Sequence, residues 1–215
     1  MKENLTELVF ILDRSGSMSG MEADTIGGFN AMIKKQRREE GEAYVTTVLF
    51  DSESTMLHDR LPLGEVPAMT EKDYSVGGCT ALLDALGDTV KHIANIHKYA
   101  KKEDVPAHTL FVITTDGMEN ASRHYDSDEV KKLVKQHEEK DGWEFLFLGA
   151  NIDAVETAKH FGIRADHAVD YVCDEAGTAL NFEVLSEAIA DVRSDRVLTG
   201  KWKSRIEADH RKRGR

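Results

Sequence analysis

Two cysteines in 215 residues, Cys79 and Cys173, are too few and too far apart for a disulfide framework, and no CxxC is present. A reducing compartment fits that usage. Prolines are equally scarce: Pro62, Pro67 and Pro106 are the only three. No Pro/Ser/Gly-rich stretch reads as a linker. We therefore expect one domain over residues 1–200, followed by a basic tail over 201–215. Long apolar runs are missing too. The first, Leu8–Leu12, spans five residues before Asp13. It is too short for a signal-peptide core, and no small-residue cleavage site follows. No run reaches bilayer length. The expectation is a soluble, cytoplasmic chain without membrane contact, and its short, acidic character suggests a bacterial source.

Positive charge is also in deficit. The net charge is −11. The last fifteen residues, KWKSRIEADHRKRGR, hold seven Lys/Arg against two Asp/Glu, so the rest of the chain is more acidic than the total. An acidic body repels nucleic-acid phosphates and anionic lipids, and no nucleic-acid partner is expected. The tail reads as a solvated, partly disordered terminus. The nine histidines form no metal pattern; His92 and His97, five apart, do not share a helical face.

What is present is an alternation of strands and helices. Leu8–Leu12 reads as a central strand covered on both faces. Ile26, Phe29, Met32 and Ile33 fall at helical spacing. AYVTTVLF is a second strand, DSES a tight turn, and TMLHDRL a third strand, antiparallel because the turn is so short. A long loop over residues 60–79 precedes the helix ALLDALGDTVKHIANIHKYAKK. HTLFVITT and WEFLFLGA are buried strands separated by the helix DSDEVKKLVKQHEEK, capped at Asp126 or Ser127. DAVETAKHFG, the weak strand HAVDYV and the long last helix TALNFEVLSEAIADVRSDR follow. This order predicts a doubly wound, mainly parallel α/β sheet with helices on both faces, three layers in all.

Ligands of such sheets bind beyond the carboxyl ends of the strands, where strand order reverses. Asp13 ends the first strand and Asp116 ends HTLFVITT. Ser15 and Ser17 follow Asp13 at alternate positions, so an extended loop aims all three side chains one way. Thr80 sits after Gly77-Gly78 on the loop that opens a helix. Two carboxylates and three hydroxyls make a hard oxygen set, which suits Mg²⁺ or Mn²⁺ rather than Zn²⁺. Two Asp charges against +2 leave the site near neutral and receptive to one further carboxylate.

DRSGS matches D-x-S-x-S, and GGCTALLDAL and TTDGMEN follow in order. On these motifs the chain resembles the von Willebrand factor type A domain, of the integrin I-like kind, over about residues 5–195. The resemblance implies a complete metal-ion-dependent adhesion site (MIDAS) at Asp13, Ser15, Ser17, Thr80 and Asp116. It implies a six-stranded Rossmann-like sheet of order 3-2-1-4-5-6, with strand 3 antiparallel at the edge. It also implies a metal-dependent protein-interaction module in which a partner's Asp or Glu completes the coordination. In some members ligation moves the last helix, here residues 178–196. Intracellular relatives often serve a complex with an AAA+ ATPase or a stress-response kinase, which is the alternative reading.

A Mg²⁺-dependent hydrolase or phosphoryl-transfer enzyme is the rival class. The sequence has no G-x-x-x-x-G-K-[ST] loop, and position 15 is Ser where a phosphoaspartyl enzyme needs Asp. No enzyme is expected. Arg14, Met18, Met21, Met118 and Glu119 should ring the metal face, either touching a partner or buried beneath the loop. Asp51 reads as a turn residue, and Cys79 as a small buried filler.

Overall fold

β1 (Lys2–Asp13) lies at the centre of the sheet, parallel to β2 (Glu42–Phe50) on one side and β4 (Pro106–Thr115) on the other. The computed structural model describes residues 1–213. β3 (Ser54–Pro62) returns antiparallel to β2, while β5 (Glu144–Gly149) and β6 (Ala168–Asp170) continue parallel from β4. The strand order is β3-β2-β1-β4-β5-β6, as expected. It reverses between β1 and β4, which sets Asp13 and Asp116 in one crevice.

Alternate residues of β1 enter two cores. Leu8, Phe10 and Leu12 pack with α1 (Glu22–Gln36) and α5 (Glu175–Arg193). Val9 and Ile11 pack with α2 (Leu82–Tyr99), α3 (Ser127–Asp141) and α4 (Ala154–His160). This is the period-two signature of a strand buried on both faces. α3 begins at Asp126, whose side chain accepts from the Glu129 N–H in a capping box. No helix among the described residues is long and apolar enough to cross a membrane.

Two expectations fail. β1 is longer than Leu8–Leu12, because the preceding polar residues Thr6 and Glu7 are buried in the sheet. The C-terminal segment is not a free tail over its described length. A 3-10 turn (Gly200–Lys203) leads into α6 (Ser204–Arg213), so α5 is not the last helix. Ile206 is buried in the core shared with α5, the Trp202 indole N–H donates to the Asp166 carbonyl, and the Lys203 ammonium donates to the carbonyls of Ala165 and Ala168. One apolar anchor and these bonds to backbone oxygens hold a helix whose composition alone reads as solvated.

The two long helices on one face are tied by polar groups. The Gln36 side chain, fully buried, donates to the Ser186 carbonyl, and the Arg193 guanidinium donates to the carbonyls of Gln36 and Gly41. Arg193 thereby closes carbonyls at the end of α1 that helix geometry leaves open.

At the far end of the sheet from Asp13, Glu7 has a side chain with no exposed surface. Arg60 Nε donates to its Oε2 at 2.7 Å, and His97 Nε2 lies 3.3 Å from the same oxygen. Arg60 reaches inward from a bulge of β3 with φ +48° and lies over the Tyr44 ring. A positive φ costs a non-glycine residue roughly 1 kcal/mol or more, which the buried ion pair offsets.

Candidate metal centre

Asp13 is buried where β1 leaves the sheet. Its Oδ1 accepts the Ser15 N–H at 2.7 Å and its Oδ2 accepts the Thr115 hydroxyl at 2.6 Å. The Tyr74 hydroxyl donates to the Asp13 main-chain oxygen. Residue 13 is therefore fixed at both its carboxylate and its backbone. The chain then extends through Ser15 and tightens into a 3-10 turn over Gly16–Met18. This brings Ser15 Oγ to 3.1 Å from Ser17 Oγ. The Ser17 hydroxyl in turn donates to Asp116 Oδ1 at 2.5 Å. A side chain at Gly117 would begin 3.3 Å from Ser17 Oγ and 3.5 Å from Thr80 Oγ1, so these two hydroxyls also converge. Glycine at 117 leaves that space free.

Three loops thus deliver five oxygen-bearing side chains to one place, and backbone bonds lace the loops together. The Gly16 N–H donates to the Gly78 carbonyl and the Gly77 N–H to the Arg14 carbonyl. The Thr80 N–H donates to Asn120 Oδ1, and the Asn120 N–H returns to the Thr80 carbonyl.

The charges at the crevice are unanswered. Burial raises the pKa of Asp13 above the ordinary carboxylate value, against the hydrogen bonds from Thr115 and Ser15. Burial also raises that of Asp116, and the charge on Asp13 adds to the rise. Among the described residues no Lys, Arg or His pairs with either carboxylate. The nearby Arg14 is turned to Asp51, at 2.9 Å. No cluster of three His, Cys, Asp or Glu side chains occurs among the described residues. The candidate centre is instead two carboxylates with three hydroxyls. Such a donor set fits a small divalent cation, which would supply the positive charge the crevice lacks.

No protein-family model matches the chain, and no curated protein matches it by sequence. Solved structures do match. A von Willebrand factor type A protein from Catenulispora acidiphila superposes with a TM-score of 0.56 at 14% identity, over 87% of this chain and 42% of that one. The von Willebrand factor domain of the type V pili tip protein Mfa5 from Porphyromonas gingivalis superposes with a TM-score of 0.62 at 10% identity, over 93% of this chain and 99% of that one. The fold is that of the von Willebrand factor type A domains. A further neighbour is proximal thread matrix protein 1 from the mussel byssus, with a zinc-occupied MIDAS motif: TM-score 0.59, 14% identity, 87% of this chain and 46% of that one. This chain spans less than half the length of the Catenulispora and mussel proteins.

Several residues around the crevice of this type A fold were not singled out from the sequence. Thr115 and Tyr74 position Asp13, and Asn120 positions Thr80. Thr115 had a signal, since it stands beside Asp116 in the strand-end TTD. Cys173 had none; it is 57 positions away, yet its Sγ lies 3.9 Å from Asp116 Oδ2. Burial and the charge of Asp116 push its thiol up to about 11.

Other expectations need correction. Cys79 is exposed, not a buried filler. Gly78, at φ +75°, turns the chain outward, and the Cys79 N–H donates to Ser52 Oγ. Glu119 does not face a partner. Its carboxylate accepts the N–H groups of Leu83, Ala121 and Ser122, tying the first turn of α2 to the loop after Asp116. Met18 is buried beneath the serine loop, whereas Met118 is 70% exposed. Asp51 is the turn residue expected, with Oδ1 accepting the Glu53 N–H, and it also pairs with Arg14.

Proposed function

We propose that the chain is a metal-dependent protein-interaction module. Asp13, Ser15, Ser17, Thr80 and Asp116 would hold Mg²⁺ or Mn²⁺, and an Asp or Glu of a protein partner would complete the coordination. One observation carries this reading: two buried carboxylates and three hydroxyls converge, and no cation among the described residues answers them. The mussel protein's zinc-occupied MIDAS supports a divalent ion in this fold. When bound, the ion supplies a Lewis-acidic face. The protein's own residues do the rest. Thr115 and the Ser15 N–H hold the Asp13 carboxylate, Ser17 aligns Asp116, and Gly117 leaves an approach.

We read the chain as a binding module rather than an enzyme, because among the described residues no imidazole or amine pairs with Asp13 or Asp116 to act as a base. A cytoplasmic setting agrees with the free, exposed Cys79 thiol. An AAA+ ATPase or a stress-response kinase would be a partner of this kind.

The test has two parts. Titration calorimetry should show one Mg²⁺ or Mn²⁺ per chain for the wild type and none for Asp116→Ala. Affinity capture should then retain a partner with wild type plus Mg²⁺, but not with EDTA or with Asp116→Ala plus Mg²⁺. Identical captures in all three would sink the docking role. A phosphate-ester turnover that vanishes in Asp13→Ala would replace it with the enzyme reading.

A further inference from the structure

A carboxylate ligand for the metal centre meets an electrostatic obstacle. The chain carries −11, and a divalent ion between Asp13 and Asp116 is already neutralised. An approaching acidic segment is repelled by the body and gains no long-range attraction from the ion. Some local positive charge is needed, and α6 brings it.

The helix starts beside the first residues of β6, where Lys203 bonds the Ala165 and Ala168 carbonyls. It runs along that edge strand toward its carboxyl end. There His210 and Arg211 border a small cavity with Val169 and Asp170, the last residues of β6. Thr115, Gly149 and Asp170 stand in one row across β4, β5 and β6. The end of α6 is therefore level with Asp116. Its final turn is anchored there, because the Arg213 guanidinium pairs at 2.5 Å with Asp174, the N-cap of α5. Asp174 adjoins Cys173, whose thiol touches Asp116. From Asp116 to Arg213 is thus one thiol contact, one peptide step and one ion pair, on the order of 10–15 Å by backbone dimensions. Arg213 is engaged by Asp174 and Asp209. Arg211 and Lys212 beside it are exposed, and neither forms an ion pair among the described residues.

We propose that the last turn of α6 is a second contact zone beside the metal centre, and that the partner is an acidic peptide segment. One carboxylate would go to the ion, and acidic residues about four to six positions away along an extended chain would reach Arg211 and Lys212, at roughly 3.3 Å per residue. The inference rests on the metal-docking reading and names the partner's chemistry. Steering of this kind acts mainly on the association rate and weakens with salt.

The experiment compares two synthetic Gly/Ser dodecapeptides in Mg²⁺ by surface plasmon resonance. One carries a single Glu; the other carries the same Glu and three Asp/Glu residues placed four to six positions on. The acidic peptide should bind at least tenfold tighter at low salt, chiefly through faster association, and the advantage should shrink as salt rises. Arg211→Glu with Lys212→Glu should erase the advantage and leave single-Glu binding within about twofold, with an unchanged melting midpoint. Asp116→Ala should abolish binding of both peptides. Equal affinities for the wild type, or an advantage that survives the double variant, would overturn the inference while the metal-docking reading stands. No Mg²⁺-dependent binding of either peptide would overturn both. Mg²⁺-independent binding of a single-stranded oligonucleotide, lost in the double variant, would assign the basic turn to nucleic acid instead.

Discussion

The sheet buries carboxylates at both ends and treats them in opposite ways. At the amino end, Glu7 is wholly enclosed, and the protein brings it an arginine at 2.7 Å and a histidine at 3.3 Å. At the carboxyl end, Asp13 and Asp116 are almost as enclosed, and the described residues bring them hydroxyls, backbone N–H groups and the Cys173 thiol, but no cation. Uncompensated buried charge costs several kcal/mol, so folds normally pair it or shift its pKa. The first end is closed to outside ions, while the second keeps a charge deficit that the proposed ion would fill. The contrast between the ends, more than the presence of acids, singles out the second as the candidate site.

The largest expected effect would break the closed end. Glu7→Ala leaves the Arg60 guanidinium facing the core without its partner, and should destabilise the fold by roughly 3–5 kcal/mol in urea denaturation. The Mg²⁺-induced gain in stability should survive in whatever fraction folds. Loss of metal response with unchanged stability would invert the comparison. Next in size is the open end itself. Saturating Mg²⁺ at about one hundred times its dissociation constant should raise wild-type stability by about 2.7 kcal/mol, and EDTA should reverse the gain. Asp116→Ala should show no gain. A gain of equal size in that variant would mean the ion binds elsewhere.

The open end was far more legible in the sequence than the closed one. D-x-S-x-S puts three candidate ligands within five residues, strand ends mark Asp13 and Asp116, and the Gly-Gly before Thr80 marks a loop that opens a helix. These are local signals. Glu7, Arg60 and His97 meet across 53 and 90 positions, and nothing in TELVF, HDRL or IHKY announces the meeting. Arg60 in particular owes its inward reach to a positive φ at a bulge that no residue preference predicts. Helix α6 was hidden for a different reason. Its composition is that of a solvated segment, and its order comes from one buried isoleucine and from a lysine and an indole N–H on backbone carbonyls, which hydropathy patterns do not register. Cys79 misled through the general burial of free cysteines, because the local turn at Gly78 overrides it.

Titration should sharpen the contrast with a smaller effect. Asp13 and Asp116 have folded pKa values raised above 3.8. The folded state therefore holds more protons than the unfolded state between the ordinary and the raised values. In EDTA, these two groups should make stability increase as pH falls through that window, and decrease as pH rises through it. Asp166 and Asp174, held low by Arg164 and Arg213, act in the opposite sense, so the signature is the difference between wild type and Asp13→Asn with Asp116→Asn. Mg²⁺ should remove or reverse that slope within the window, since the ion favours the charged forms of the folded state. A difference that persists in Mg²⁺ would separate the titration from the metal centre.

The smallest effect concerns the cation next to Asp13 in the sequence. Arg14 follows Asp13 directly, yet its guanidinium is spent on Asp51, with both side chains partly exposed. Fully exposed pairs contribute about 0–1 kcal/mol and buried ones more; solvent reaches both of these side chains, which puts the pair near the top of the exposed range. If the crevice depends on an outside ion, Arg14→Ala should cost less than about 1 kcal/mol and shift Mg²⁺ affinity by no more than about threefold. Were Arg14 instead a hidden counterion for Asp13 and Asp116, its removal would raise Mg²⁺ affinity tenfold or more, by deepening the charge deficit. Calorimetry of the one variant distinguishes the two. The second outcome would make the open end a weaker copy of the Glu7 network rather than its opposite.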